Sequence, residues 1–122
     1  MERLYQRYKD AVEFLLVYIR EAHPDSILYV AREDGTRALG VVAQTSTAVE
    51  RLKNLQQCAA LLQLTMPAVI DRDDNAVNRA YAAWPDRLYV VGMDGRIAYM
   101  GRPGPAGFKV TELESWLMAN VR

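Results

Sequence analysis

Glu21 and His23 stand two residues apart, just past the apolar run Phe14-Leu15-Leu16-Val17-Tyr18-Ile19. A carboxylate and an imidazole at that spacing can share a proton or orient a substrate, and α/β folds hold ligands beyond the carboxyl ends of buried strands. The same two side chains serve equally well as polar loop residues capping a neighbouring helix. His23 is the only histidine, so no His-rich metal site can be built, and neither a metal nor a cofactor is expected. Pro85 stops a helix and introduces a strand. Arg87, two residues on, has the planar fork that grips a carboxylate, or it makes an exposed ion pair. Asp71-Arg72-Asp73-Asp74-Asn75 begins like a calcium loop, but its sixth position is Ala76 and its twelfth Ala82, so it reads as a helix cap. Gly101 to Gly107 has prolines where a phosphate cradle needs amide donors. Cys58, the one cysteine, is expected mid-helix, facing the core, without the helix-terminal dipole that would activate a thiol.

Composition narrows the classes. The 122 residues make one domain, 1–122, with 51% hydrophobic and 25% charged side chains, which excludes disordered and low-complexity readings. Fifteen basic residues balance fifteen acidic ones and no basic run occurs, so no nucleic-acid partner is expected. No apolar stretch is long enough to cross a bilayer, and the charged residues 1–10 lack a signal-peptide core. The expectation is a soluble, cytoplasmic protein with no membrane partner.

The elements that would carry these residues alternate. Leu4, Tyr8, Ala11 and Val12 space as a helix over 2–12, and 14–19 reads as a strand buried on both faces. Residues 27–31 and 38–43 flank Asp34-Gly35 as a hairpin. Thr47 and Glu50 form a capping box, after which Ala48, Leu52, Leu55, Ala59 and Leu62 line an inward face. A strand at 66–70 precedes a helix capped by Asp73, Asp74 or Asn75, with Val77, Ala80, Tyr81 and Trp84 on its core side. A second hairpin spans 88–91 and 97–100 across Asp94-Gly95. Thr111 and Glu114 repeat the capping-box spacing before a closing helix that turns Val110, Leu113 and Leu117 inward. Strands alternating with amphipathic helices predict an α/β layer structure.

Two blocks carry a family likeness. Val17-Tyr18-Ile19-Arg20-Glu21-Ala22-His23 is the first. The second runs from Ala80-Tyr81-Ala82-Ala83-Trp84-Pro85-Asp86-Arg87-Leu88-Tyr89-Val90 through Gly95-Arg96-Ile97-Ala98-Tyr99 to Gly104-Pro105. Together, and in order over nearly the whole chain, they resemble the iodothyronine deiodinases and their bacterial relatives. The resemblance implies a thioredoxin-like fold with helices packed on a mixed sheet. It implies redox work by a selenocysteine or cysteine nucleophile, including reductive removal of iodine from thyroid hormones in animals. It also implies that Pro85 is the cis proline bordering the active site.

The chain departs from that pattern in two places. The family places its nucleophile in a loop after an amino-terminal strand, just upstream of the helix that begins here near Glu2, and no cysteine lies near this amino terminus. After Glu-Ala-His the family has a Ser-Asp-Gly-Trp type sequence, where this chain has Pro24-Asp25-Ser26-Ile27. Dehalogenation, peroxide reduction and disulfide exchange all need an activated thiolate or selenolate. The expectation is therefore a non-catalytic binding or assembly protein with a vestigial pocket of Glu21, His23, Pro85 and Arg87, taking a small aromatic or halogenated ligand. The alternative is an oxidoreductase completed by an upstream segment or a partner chain. The resemblance places the absent strand between 14–19 and 88–91. Three repairs are expected of the chain: 14–19 pairs directly with 88–91, the insertion 27–44 moves in, or a second copy pairs there as a homodimer.

Overall fold

A computed structural model describes residues 1–25 and 27–122; the Ser26 position of the departure noted above lies outside them. Four helices and six strands follow in the order α1 (Glu2–Tyr8), β1 (Leu16–Tyr18), β2 (Ile27–Ala31), β3 (Arg37–Val41), α2 (Ala48–Leu62), β4 (Ala68–Ile70), α3 (Ala76–Tyr81), β5 (Tyr89–Val91), β6 (Ile97–Met100) and α4 (Val110–Asn120). The architecture is α/β, and it is consistent with a thioredoxin-like fold.

The strand pairing is both parallel and antiparallel, and it is divided. Three separate two-stranded ladders form: β1 with β4 in parallel, and the antiparallel hairpins β2–β3 and β5–β6. Residues 14–19 do not pair with 88–91, and the 27–44 insertion pairs with itself rather than moving in. The hairpin closes locally because Asp34-Gly35 supplies the turn: Gly35 sits at φ +85° and Thr36 N–H and Oγ1 both donate to Asp34 Oδ1. Gly95, at φ +78°, turns β5 into β6 in the same way.

The buried centre is small. Leu4 of α1 meets Leu113 and Leu117 of α4, and Phe14, Leu88, Val90, Tyr99 and Trp116 pack around them. Helix α2 starts as expected: Thr47 accepts from Glu50 N–H, and Glu50 accepts from the Thr47 N–H. Its inward face, however, is turned by about one residue. Arg51, Asn54 and Leu55 are buried, while Leu52 and Leu62 are exposed. The Glu21 carboxylate and the main-chain carbonyls of Asp71 and Arg72 lie beneath this helix, and Asn54 and Arg51 turn inward to donate to them.

Two further expectations are corrected by hydrogen bonding. Helix α3 is capped neither by Asp73 nor by Asp74, and Asn75 makes no side-chain cap. Asp71 does this from further back, accepting from the Val77 and Asn78 N–H groups. The chain leaves α3 at Ala82, in the left-handed region, so Trp84 is off the helix; Tyr81 and Trp84 are both exposed rather than core. Helix α4 begins at Val110 with Lys109 as its uncapped N-cap, which puts Thr111 inside the helix, where its carbonyl accepts from Ser115 Oγ.

Candidate functional site

The loop leaving β1 and the loop entering β5 meet in a cleft of ≈ 500 Å³ lined by Ala22, His23, Trp84, Pro85, Asp86, Gly104 and Pro105. Both prolines follow cis peptide bonds, Trp84–Pro85 and Gly104–Pro105. The Arg20 guanidinium lies over the Trp84 ring, 5.5 Å from its centroid, and ties the two loops together. The cleft is therefore an apolar slot, walled by an indole and two pyrrolidine rings, with an exposed imidazole at its rim.

Of the four residues expected in this pocket, the structure places His23 and Pro85 in its wall and the other two elsewhere. Glu21 is buried and committed. Thr45 Oγ1 donates to it at 2.9 Å, Tyr18 OH at 3.1 Å, Asn54 Nδ2 at 3.2 Å and the Thr45 N–H at 3.3 Å. Burial pushes its carboxyl up, but the donors outweigh burial and hold it below the usual range. Arg87 grips main chain instead of a ligand: Nε donates to Gly101 O at 2.8 Å and Nη1 to Ala82 O at 3.2 Å, with the guanidinium over the Tyr89 ring. Both side chains hold the loops in place around the cleft rather than lining it.

Sequence reasoning missed Asp86, Trp84 and Pro105. Gly104 N–H donates to Asp86 O at 2.9 Å, and a Cβ on Gly104 would fall 1.4 Å from Asp86 Oδ1, so only glycine allows this approach. Asp86 Oδ1 is buried without a partner among the described residues, and burial raises that carboxyl above its usual range. The available signal was the doubling of X-Pro beside an acidic residue and a glycine, Trp84-Pro85-Asp86 and Gly104-Pro105.

Cys58 lies on α2, away from the cleft and half-buried. Burial pushes its thiol up, only partly offset by a hydrogen bond with Tyr18, and the Glu21 charge adds to the rise. The Tyr18 hydroxyl is driven far above its ordinary range by the same burial and by the Cys58 and Glu21 charges. Among the described residues no cluster of His, Cys, Asp and Glu could hold a metal ion, and no helix is long and apolar enough to cross a membrane.

The chain matches the family model described as iodothyronine deiodinase over residues 1–121. Among curated proteins it is 35% identical over 119 residues to a thyroxine 5-deiodinase of Sparus aurata, covering 95% of this chain and 41% of that one. It is 38% identical over 119 residues to the thyroxine 5-deiodinase of Aquarana catesbeiana, covering 95% of this chain and 40% of the relative. With that of Homo sapiens it shares 35% over 122 residues, covering 95% and 36%. The chain thus spans about two fifths of the length of these relatives.

Proposed function

Because the chain belongs to the iodothyronine deiodinase family, we propose that residues 1–122 form the binding portion of a deiodinase-type site and by themselves bind without turnover. The observation that carries this is the cleft itself, assembled between the β1 exit and the β5 entry while the only thiol sits on another element with a raised pKa. Reductive dehalogenation breaks a carbon–halogen bond, and a thiolate or selenolate must take the halogen as the carbon gains a proton. His23 can deliver or orient a proton, but no group in the cleft can accept the halogen. The apolar wall of Trp84, Pro85 and Pro105 suits a flat aromatic ring.

Titration with 4-iodophenol, followed by NMR, tests this. The Ala22, His23, Trp84 and Gly104 signals are expected to move, Trp84→Ala to weaken binding about tenfold, and no iodide to be released in excess dithiothreitol. Iodide release that disappears in Cys58→Ser would overturn the reading.

A second reading has its own support. Among the described residues β1 has β4 as its one strand partner and β5 has β6, which favours an oxidoreductase whose chalcogen arrives on a segment outside residues 1–122.

A further inference from the structure

Among the described residues Asp86 is the one acid in the wall of the cleft. Its Oδ1 is buried without a partner there, and Oδ2 is the carboxyl oxygen left open to a ligand. The cause lies in the two loops that carry it. Pro85 precedes Asp86, and Pro103 and Pro105 flank Gly104, so three nearby main-chain nitrogens have no hydrogen to give. The Gly104 N–H, which does, is spent on Asp86 O rather than on the carboxyl. Folded proteins seldom leave a buried acceptor without a donor.

Neighbouring cations do not neutralise this acid either. Arg87, the next residue, gives Nε to Gly101 O and Nη1 to Ala82 O. Arg102 is paired with Glu112. Arg20 lies over the Trp84 ring, and His23 stands elsewhere in the cleft wall. Among the described residues no basic side chain comes within ion-pair distance of Asp86. Burial pushes its carboxyl up, as expected of a charge that lacks compensation. The cleft of ≈ 500 Å³ thus joins a flat apolar wall to an uncompensated acid.

We propose that the cleft selects an aromatic amine, whose ring lies against Trp84, Pro85 and Pro105 and whose ammonium donates to Asp86 Oδ2. This rests on the binding reading under Proposed function and names the ligand class of that same site. An ammonium brings three donors and the charge that Asp86 lacks, and a hydrogen bond between ions is roughly twice as strong as one between neutral groups. A neutral hydroxyl in the same place supplies a donor without the charge. A carboxylate supplies neither and is repelled. One wall acid therefore sorts aromatic ligands by charge, attracting one class and rejecting its opposite. Arg20 pulls the other way, since its guanidinium offers an aromatic acid a partner. It is exposed and lies outside the cleft lining, however, so water and salt screen it more than they screen Asp86.

Three probes of nearly one shape test this: 4-iodobenzylamine, 4-iodobenzyl alcohol and 4-iodobenzoate, titrated at low salt and neutral pH and followed by NMR. The amine is expected to bind about tenfold more tightly than the alcohol, and the benzoate more weakly than either. Asp86→Asn keeps the size of the side chain and removes its charge. It is expected to bring amine and alcohol within about twofold of each other while the alcohol's own affinity stays within about threefold. Raising salt to about 0.5 M on the unaltered chain should shrink the amine's lead several-fold, and this arm decides alone where the variant does not fold. Equal affinities for amine and alcohol would overturn the proposal, as would a lead that survives in Asp86→Asn or is indifferent to salt. Tightest binding by the benzoate would also overturn it and would make Arg20 the residue that reads the ligand. All of these results leave ring binding in the cleft intact. Unmoved Ala22, Trp84 and Gly104 signals with all three probes would instead remove the cleft reading, and the proposal with it.

Discussion

Glu21 shows why a residue type alone does not assign chemistry. Its carboxylate receives donors from β1, from the loop before α2 and from α2 itself, so it joins three elements. Removing it leaves Thr45 Oγ1 and Asn54 Nδ2 short of an acceptor in a buried place. Glu21→Ala is expected to cost about 1–3 kcal/mol, read by urea denaturation. Asp71 plays the matching part under α3 and is likewise held below its usual range, burial being outweighed by the Asn78, Val77 and Arg72 amides and the Arg51 charge. A carboxyl depressed in the fold adds stability that is complete above its unfolded pKa and is lost as pH falls through the folded value. Glu21 and Asp71 therefore predict acid destabilisation beginning near their unfolded values of about 4. Asp86, raised by burial, works oppositely: its ionised form burdens the fold at neutral pH, and protonation relieves it. Melting temperature measured from about pH 7 to pH 3 should fall, and fall less steeply in Glu21→Ala. Cys58, with its raised thiol, is expected to react with iodoacetamide several-fold more slowly than a free thiol at pH 7.5.

At the scale of elements, local chemistry decides where helices start and long-range partners decide which way they face. Thr47 and Glu50 start α2 by themselves, and Thr47→Ala is expected to cost about 1 kcal/mol in thermal unfolding. The inward face of α2 differs from the apolar stripe because that stripe lies one residue away from the positions that meet buried acceptors. Arg51 Nη1 donates to Asp71 O and Arg72 O, contacts across about twenty residues that no periodicity reports. The loop before α4 is governed by a contact of the same kind. Gly104→Ala drives a methyl into Asp86 Oδ1, so it is expected to displace Asp86, open the Pro85–Pro105 cleft and abolish iodophenol binding with only a modest loss of helix signal in circular dichroism.

The whole molecule is three short ladders held by a small centre. Leu15, Val91, Ile97 and Met100 stay exposed on or beside the ladders. With a formal charge of zero, little electrostatic repulsion keeps such surfaces apart. Sedimentation velocity is expected to show concentration-dependent association strongest near pH 6.6 and weaker at pH 8.5. 8-Anilinonaphthalene-1-sulfonate fluorescence should rise on adding the chain.

The alternation of helices and strands, both Gly-centred turns, the α2 cap and the two blocks that mark the family were legible in the residues, because each depends on atoms within a few positions of one another. The placing of His23 and Pro85 in one cleft was foreshadowed by the family likeness. What folding alone decided is which backbone edges find partners, that Glu21 and Arg87 spend their hydrogen bonds on scaffold, and that Asp86 meets Gly104. Those outcomes turn on the distance between segments far apart in sequence, and no local pattern of residues encodes that spacing.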